Sequence, residues 1–114
     1  MGSRHPPCLP APDPCQVFHA NGAHFRTIGG PGTDPGQFDS PIGVDVDGDG
    51  NIVVADHGNH RVQVLSSDGR HLRTWGGPDS GSAVGHFSSP LGVAVDVDGC
   101  IIVADQSNNR LQLL

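Results

Sequence analysis

The chain has 114 residues, 12 acidic and 6 basic side chains and a net charge of −6, with 17 glycines and 10 prolines. Every acid is Asp and every base is Arg, so the charged helix formers Glu and Lys are absent while turn-forming residues are abundant. This composition argues against a general phosphate-binding surface, and no apolar run approaches the roughly 20 residues of a membrane span.

Residues 1–14 are rich in proline and are predicted to form a disordered tail. The chain has three cysteines, Cys8, Cys15 and Cys100. An odd number, two of them in or next to this tail, does not describe a disulfide framework. The cysteines therefore predict a reducing compartment and a cytoplasmic location.

From residue 15 onward, short apolar runs alternate with turn signals, as is typical of β-strands. Residues 15–30 hold two strand signals, and residues 31–77 hold four. The turn sequences between them, such as DGDG and SSDG, are too short for a parallel crossover, so neighbouring strands are predicted to be antiparallel. The six predicted strands are Gln16–Phe18, His24–Ile28, Ile42–Asp47, Asn51–Ala55, Arg61–Leu65 and His71–Trp75.

An internal repeat sets the fold class. Residues 40–65 align with 89–114 at an offset of 49, with 16 of 26 positions identical, and 62–77 align with 15–30 at an offset of 47. A four-stranded antiparallel sheet repeated every 40–50 residues is the blade of a β-propeller. The sequence predicts an all-β, incomplete β-propeller of about two and a half blades: the last two strands of a blade at 15–30, a complete blade at 31–77, and a blade without its fourth strand at 78–114.

Three motifs recur with the same order and spacing: F-x-x-P-x-G-V-x-V-D at 38–47, N-I-x-V-A-D at 51–56 and N-x-R-V-Q-V at 59–64. They resemble the NHL repeat, best known from the C-terminal propellers of tripartite-motif ubiquitin ligases. The resemblance implies a non-catalytic protein-interaction module of the substrate-recognition kind, with a protein partner and no cofactor. It leaves two alternatives: RNA binding, which some NHL propellers perform, and a fragment of an NHL-like enzyme such as a peptidylglycine lyase.

Two and a half blades cannot close a ring, because propellers close with roughly 4–8 blades. The remaining blades are expected from a longer parent chain or from self-association, for example of three copies into a six-bladed ring.

The stretch DVDGDGNIVVAD, residues 45–56, matches part of a calcium-loop pattern through Asp45, Asp47 and Asp49. In the second copy Ala94 replaces Asp45, while the D-x-D-G part is kept. A hairpin turn is therefore the preferred interpretation, since Asp suits tight turns, and a weak Ca²⁺ site in the first copy is the alternative.

The segment that follows Asp56 recurs after Asp105 and carries the candidate site. Asp56 is predicted to pair with Arg61 across a turn, and Asn59 to take a left-handed or capping conformation. The connection between predicted strands two and three emerges at the same end of a blade as the connection between blades. NHL propellers use such a face for binding, so the resemblance implies a partner-binding face at His57, Asn59, His60, Arg61, Gln106, Asn108, Asn109 and Arg110.

Overall fold

The computed structural model describes residues 15–18, 22–77, 79–83 and 85–114, so the predicted tail lies outside the described residues. Within these ranges nine strands form three antiparallel sheets in which consecutive strands are neighbours. The first sheet is β1–β2, the second β3–β6 and the third β7–β9. The strands are β1 Cys15–Phe18, β2 His24–Ile28, β3 Pro41–Val46, β4 Ile52–Asp56, β5 Arg61–Leu65, β6 His71–Gly76, β7 Pro90–Val95, β8 Ile101–Asp105 and β9 Arg110–Leu113.

The prediction of an all-β, incomplete propeller is confirmed. The helical segments among the described residues are two three-residue 3-10 turns, His57–Asn59 and Gln106–Asn108. None of them is long and apolar enough to cross a membrane. The three sheets follow one another along the chain without pairing into a closed ring.

Strand direction gives each sheet two distinct ends. At the loop end lie the connections between sheets and the two 3-10 turns. At the turn end lie the tight turns between β3 and β4, β5 and β6, and β7 and β8. Backbone hydrogen bonds confirm that different connections meet at the loop end: the Gly58 N–H donates to Asp39 O (2.8 Å) and the Ser107 N–H to Ser88 O (3.0 Å).

The D-x-D-G segments form hairpin turns, as preferred from the sequence. Asp47 Oδ1 accepts the N–H groups of Asp49 and Asn51, both at 2.9 Å, and Asp47 O accepts the Gly50 N–H. Gly50 has a φ of 83°, in the region that glycine adopts readily. The second copy repeats this geometry around Asp96, so a carboxylate that binds its own turn explains the recurring motif.

Two apolar clusters hold the sheets together, and successive residues of β4 belong to different clusters. Val54 packs with Ile28, Phe38 and Leu65 between the first and second sheets. Val53 belongs to the cluster between the second and third sheets, and Trp75 packs against that cluster. Because both faces of β4 and β5 are covered, nearly all of their residues are buried. The second cluster contains Val53, Val62, Val64, Phe87, Ile101 and Val103.

The first strands of the second and third sheets, β3 and β7, approach closely at a glycine. A Cβ on Gly43 would collide with the backbone of the third sheet, at the Leu91 carbonyl oxygen and 2.9 Å from Gly92 Cα. At the equivalent Gly92, the one heavy atom near an added Cβ is Ala104 Cβ, at 3.9 Å. Gly43 is therefore required by the packing of neighbouring sheets and not by the turn chemistry of its own strand.

Candidate functional site

A buried carboxylate organises the loop end of the second sheet. Asp56, at the end of β4, is fully buried, and its Oδ2 accepts hydrogen bonds from Arg61 Nε (2.7 Å), Asn59 Nδ2 (3.1 Å) and Gln63 Nε2 (3.2 Å). Its Oδ1 accepts the N–H of Asp39 at 2.7 Å. The pairing of Asp56 with Arg61 agrees with the sequence prediction.

The partners of Asp56 in turn hold the loop that enters the sheet. Arg61 donates from Nη1 to Thr33 O (2.8 Å) and from Nη2 to Asp34 O (3.2 Å) and Gln37 O (2.8 Å). Asn59 Nδ2 donates to Gly32 O at 2.8 Å. All four acceptors are main-chain carbonyl oxygens, so this network fixes the path of the loop without depending on the loop's side chains.

The third sheet repeats the network around Asp105. Its Oδ2 accepts Arg110 Nε at 2.9 Å and Asn108 Nδ2 at 2.9 Å, and its Oδ1 accepts the Ser88 N–H at 2.8 Å. Arg110 Nη2 then donates to Ala83 O and His86 O, both at 3.1 Å. The main difference is exposure, because the Arg110 side chain is 30% exposed and the Arg61 side chain 8%.

Hydrogen bonding sets the acidity of Asp105. Burial alone would raise its pKa, but this effect is outweighed by hydrogen bonds from the Ser88 N–H, Asn108, Arg110 and Gln112, so the pKa of Asp105 lies below its usual value of 3.8. Asp47, in the D-x-D-G turn, also has a lowered pKa: slight burial opposes the shift, and hydrogen bonds from Asn51, Asp49 and Gly50 outweigh it.

These shifts predict how stability depends on pH. A carboxyl whose pKa is lower in the folded state contributes stability that is present above its unfolded pKa and is lost as pH falls through its folded pKa. We therefore expect the free energy of unfolding to fall as pH drops below about 4, measured by urea unfolding monitored by circular dichroism. Asp105→Asn should show a smaller fall over the same range, and identical pH profiles would contradict this assignment.

The structure divides the predicted site residues into three groups by exposure. Asn59 and Arg61 are buried in the network, at 4% and 6% exposure, and act as its donors. Gln106 and Asn109 are exposed at the loop end. The half-buried residues are His57, His60, Asn108 and Arg110.

The two histidines of the second sheet contact the third sheet. His60 Nδ1 accepts the N–H of Ser89 at 2.9 Å, and His57 Nδ1 lies 3.4 Å from Pro90 O. Both contacts are made where β7 begins, so these histidines join the two sheets as well as bordering the surface. Gln106 and Asn109 occupy the same positions in the third sheet and are exposed.

The left-handed conformation falls one residue later than predicted. Asn59 lies within the 3-10 turn, and His60, at φ 54°, is the left-handed residue that ends it. Asn108 and Asn109 show the same arrangement, with Asn109 at φ 53°. The reason is that the amides of Asn59 and Asn108 are used to bridge the aspartate and the loop, which leaves the next residue to reverse the chain.

Two members of the network, Gln63 and Gln112, were not predicted from the sequence. Gln63 is fully buried, its Oε1 accepts the Gly36 N–H at 2.9 Å, and its Nε2 donates to Gln37 O at 2.7 Å. Gln112 makes the same contacts to Gly85 and His86. The available signal was the recurrence of a glutamine between two apolar residues in each of these strands.

With the network buried, the groups that remain exposed at the loop end are different in the two copies. The exposed carboxylates Asp34 and Asp39 lie beside the second sheet, and Asp79 and His86 lie in the loop before the third. Arg61 and Arg110 are each paired with a buried aspartate. The loop end of the described chain is therefore not a basic surface.

Asp45, a ligand in the alternative Ca²⁺ site, has both carboxylate oxygens engaged in hydrogen bonds to the main chain. Its carboxylate accepts the N–H of Val46 at 2.8 Å and, from the neighbouring sheet, the N–H of Val95 at 2.7 Å. Asp45 therefore joins β3 to β7. Among the described residues, no group of three or more His, Cys, Asp or Glu side chains is arranged to hold a metal ion.

A pocket of about 270 Å³ lies at the turn end between the second and third sheets. Trp75 forms one wall, with the guanidinium carbon of Arg73 5.4 Å from its ring centroid. Val64, Ile101 and Leu114 supply further apolar lining. These residues continue the core between the two sheets, so the pocket is a gap at the edge of that core.

Comparisons with known proteins match the repeats. The chain is 44% identical over 54 residues to B-box type zinc finger protein ncl-1 of Caenorhabditis elegans, 38% over 45 residues to human E3 ubiquitin-protein ligase TRIM32, and 37% over 54 residues to Protein brain tumor of Drosophila melanogaster. These alignments cover 47%, 40% and 47% of this chain and 6%, 7% and 5% of the relatives. The chain thus matches only a small part of each relative.

The family assignment rests on the two repeat copies. Residues 38–65 and 87–112 match the NHL repeat. These ranges begin at the buried Phe38 and Phe87 and contain the Asp, Asn, Arg and Gln side chains of both networks. The chain therefore contains two copies of the NHL repeat.

Proposed function

We propose that this chain is part of a non-catalytic protein-interaction module, of the substrate-recognition kind found in tripartite-motif ubiquitin ligases, and that its loop end is the contact surface. The similarity to E3 ubiquitin-protein ligase TRIM32 supports this class of function. The cysteine pattern favours the cytosol as its compartment, and Cys100 is a free thiol.

One observation carries the proposal: the two copies share the side chains of the hydrogen-bond network and differ at the loop-end positions between them. Asp, Asn, Arg and Gln recur in the network, whereas His57 and His60 are replaced by Gln106 and Asn109. A constant scaffold that displays different polar groups is suited to recognising a partner by its surface. A catalytic site would instead require reacting groups held together in one place.

The charge of the surface indicates the chemistry of the partner. Asp34 and Asp39 are exposed, and the arginines next to them are neutralised by buried aspartates. We therefore expect a partner surface that carries Lys or Arg, with association that weakens as salt rises. The same charges disfavour RNA, whose phosphates need free cations.

The surface can be tested with two matched variants of the chain used as bait in cell extract. In the first, Asp34→Ala, Gln106→Ala and Asn109→Gly alter the loop end, the glycine preserving the left-handed conformation. In the second, Asp49→Ala and Leu72→Ala alter exposed positions away from it. We expect proteins recovered by the unchanged chain to be lost with the first variant and kept with the second. Equal recovery with both would contradict the proposed surface.

RNA binding is tested separately by filter binding with random-sequence single-stranded RNA at physiological salt. We expect no submicromolar affinity, because the exposed loop-end charges are predominantly negative. Submicromolar affinity that falls steeply with salt would reverse the order of the two functions.

A further inference from the structure

Side-chain hydrogen bonds join the second and third sheets at both ends of their junction. At the turn end, Asp45 Oδ2 accepts the N–H of Val95 at 2.7 Å. At the loop end, His60 Nδ1 accepts the N–H of Ser89 at 2.9 Å. Between these contacts lies the apolar cluster that includes Val53. The two links therefore use the same kind of donor and differ in the chemistry of the acceptor.

The contact at Ser89 fixes the protonation of the His60 ring. An imidazole nitrogen accepts a hydrogen bond through its lone pair, so Nδ1 carries no proton and the ring is neutral, with its proton on Nε2. A second proton would make Nδ1 a donor that faces the Ser89 N–H, and the hydrogen bond would be lost. Because His60 is only half-buried, solvent has access to it. The loop-end link is therefore one that acid can break.

His57 meets the same segment with the opposite polarity. Its Nδ1 lies 3.4 Å from Pro90 O, and a carbonyl oxygen is an acceptor. A proton on Nδ1 therefore suits this contact, and a positive charge on the ring would strengthen it. Of the two histidines, His60 is the one whose contact depends on a neutral ring.

The other titratable and charged side chains near this junction separate by the pH at which they change charge. β6, which reaches His60 O through Gly76, carries His71 and Arg73 nearer the turn end. Carboxyl groups ordinarily titrate near pH 4 and guanidinium groups above pH 12, whereas imidazole changes charge between pH 5 and 8. Near the loop end, the groups to distinguish from His60 in that range are therefore the imidazoles of His57 and His86. The second sheet and its entry loop contribute Asp34, Asp39, His57 and the Asp56–Arg61 pair, and the third sheet and its entry loop contribute Asp79, His86 and the Asp105–Arg110 pair.

We propose that the loop end of this junction is a pH-sensitive switch, in which neutral His60 holds Ser89 and protonated His60 releases it. The adjacent Ser88 stays with the third sheet, because its N–H donates to Asp105 Oδ1 at 2.8 Å and its carbonyl oxygen accepts the Ser107 N–H at 3.0 Å. The turn-end link persists, since a carboxylate keeps its charge in this pH range. Acid therefore opens the junction at one end and changes how the loop ends of the two sheets stand relative to each other.

Hydrogen exchange resolved by residue, measured by NMR on the full 114-residue chain at pH 7.5 and 5.5, tests the switch. After correction for the intrinsic effect of pH, we expect protection of the Ser89 amide to fall about fivefold or more at pH 5.5, as for the loss of one hydrogen bond. Protection of the Val95 amide should stay unchanged, because its acceptor is the Asp45 carboxylate. Unchanged protection of Ser89, or an equal fall at Val95, would overturn the proposal.

The repeat supplies matched variants for the three loop-end histidines. His60→Asn introduces the residue found at position 109, where asparagine has a φ of 53° against 54° for His60, and it should abolish the pH dependence at Ser89. His57→Gln and His86→Gln introduce the residues found at positions 106 and 37, and both should retain it. The same pH dependence in His60→Asn, or its loss in either control, would assign the effect to another group and reject the switch.

The chemical shifts of the ring nitrogens give a second measurement that needs no substitution. At pH 7.5 we expect His60 to carry its proton on Nε2 and to show a hydrogen-bonded, unprotonated Nδ1. A proton on Nδ1 of His60 at this pH contradicts the proposal, whatever the variants do to folding. Because both measurements use the free chain, they test the switch independently of the proposed partner surface.

Discussion

Replacing Asp56 with alanine is expected to lower the free energy of unfolding by about 3–5 kcal/mol. The substitution removes the acceptor of three side-chain donors and leaves the Arg61 guanidinium buried without a counter-charge. Arg61 would still face the carbonyl oxygens of the loop, but carbonyl dipoles do not replace a carboxylate as the partner of a buried cation. Urea unfolding monitored by far-UV circular dichroism measures the loss.

The chain contains its own control for this prediction. Asp105→Ala removes the same acceptor from the third sheet, but the Arg110 side chain is 30% exposed and water can solvate its charge. We therefore expect a smaller loss, of about 1–2 kcal/mol. Equal losses for the two variants would show that burial of the arginine does not determine how much stability is lost. The loss of stability for Asp56→Asn should lie between these two values, because asparagine keeps the shape of the carboxylate but not its charge.

The second large effect is expected at Gly43, where alanine should detach the third sheet from the second. The added Cβ meets the Leu91 carbonyl oxygen and lies 2.9 Å from Gly92 Cα, and backbone atoms inside a sheet cannot move aside easily. We expect a loss of about 2–3 kcal/mol or more, consistent with overpacking at a close contact. Gly43 does not have a positive φ, so the cost arises from packing alone.

Gly92→Ala is the matched variant, with one neighbouring heavy atom at 3.9 Å. We expect this substitution to leave the unfolding transition of the chain almost unchanged. Hydrogen exchange separates the two cases: Gly43→Ala should selectively reduce protection in the third sheet, with the second sheet retained. Equal protection of both sheets in Gly43→Ala would contradict the proposed detachment.

The repeat made the fold predictable, because two copies with the same turn signals define where each strand begins and ends. The predicted strand at 42–47 is found as Pro41–Val46, and the predicted strand at 61–65 has identical bounds. The Asp56–Arg61 pair was also predictable, since both residues flank one turn. The residue types did not reveal how deeply each side chain is buried. Arg61 and Gln63 alternate with Val62 and Val64, which suggests an exposed polar face, but the loop covers that face and all four residues are buried.

Contacts between sheets were less predictable than contacts within them. Asp45 appeared to belong to a turn motif, but its carboxylate reaches the backbone of Val95, 50 residues away. His60 was predicted as a recognition residue, and its ring also accepts the Ser89 N–H. Neither contact recurs within the sequence pattern, because each has a different residue, Ala94 or Asn109, at the matching position of the second copy.

The network side chains hold each loop through its main-chain atoms, so the loop sequence can vary without loss of these contacts. Arg61, Gln63 and Asn59 bind main-chain carbonyl oxygens and an N–H group of the loop. Substitution of the loop's own side chains therefore leaves these hydrogen-bond partners in place. The two loops already differ in length by two residues, GGPGTDPGQF against GGPDSGSAVGHF, and hold equivalent anchors. We therefore expect the loops at this end to tolerate changes of sequence and length without a change of fold, as the variable loops of a binding scaffold do.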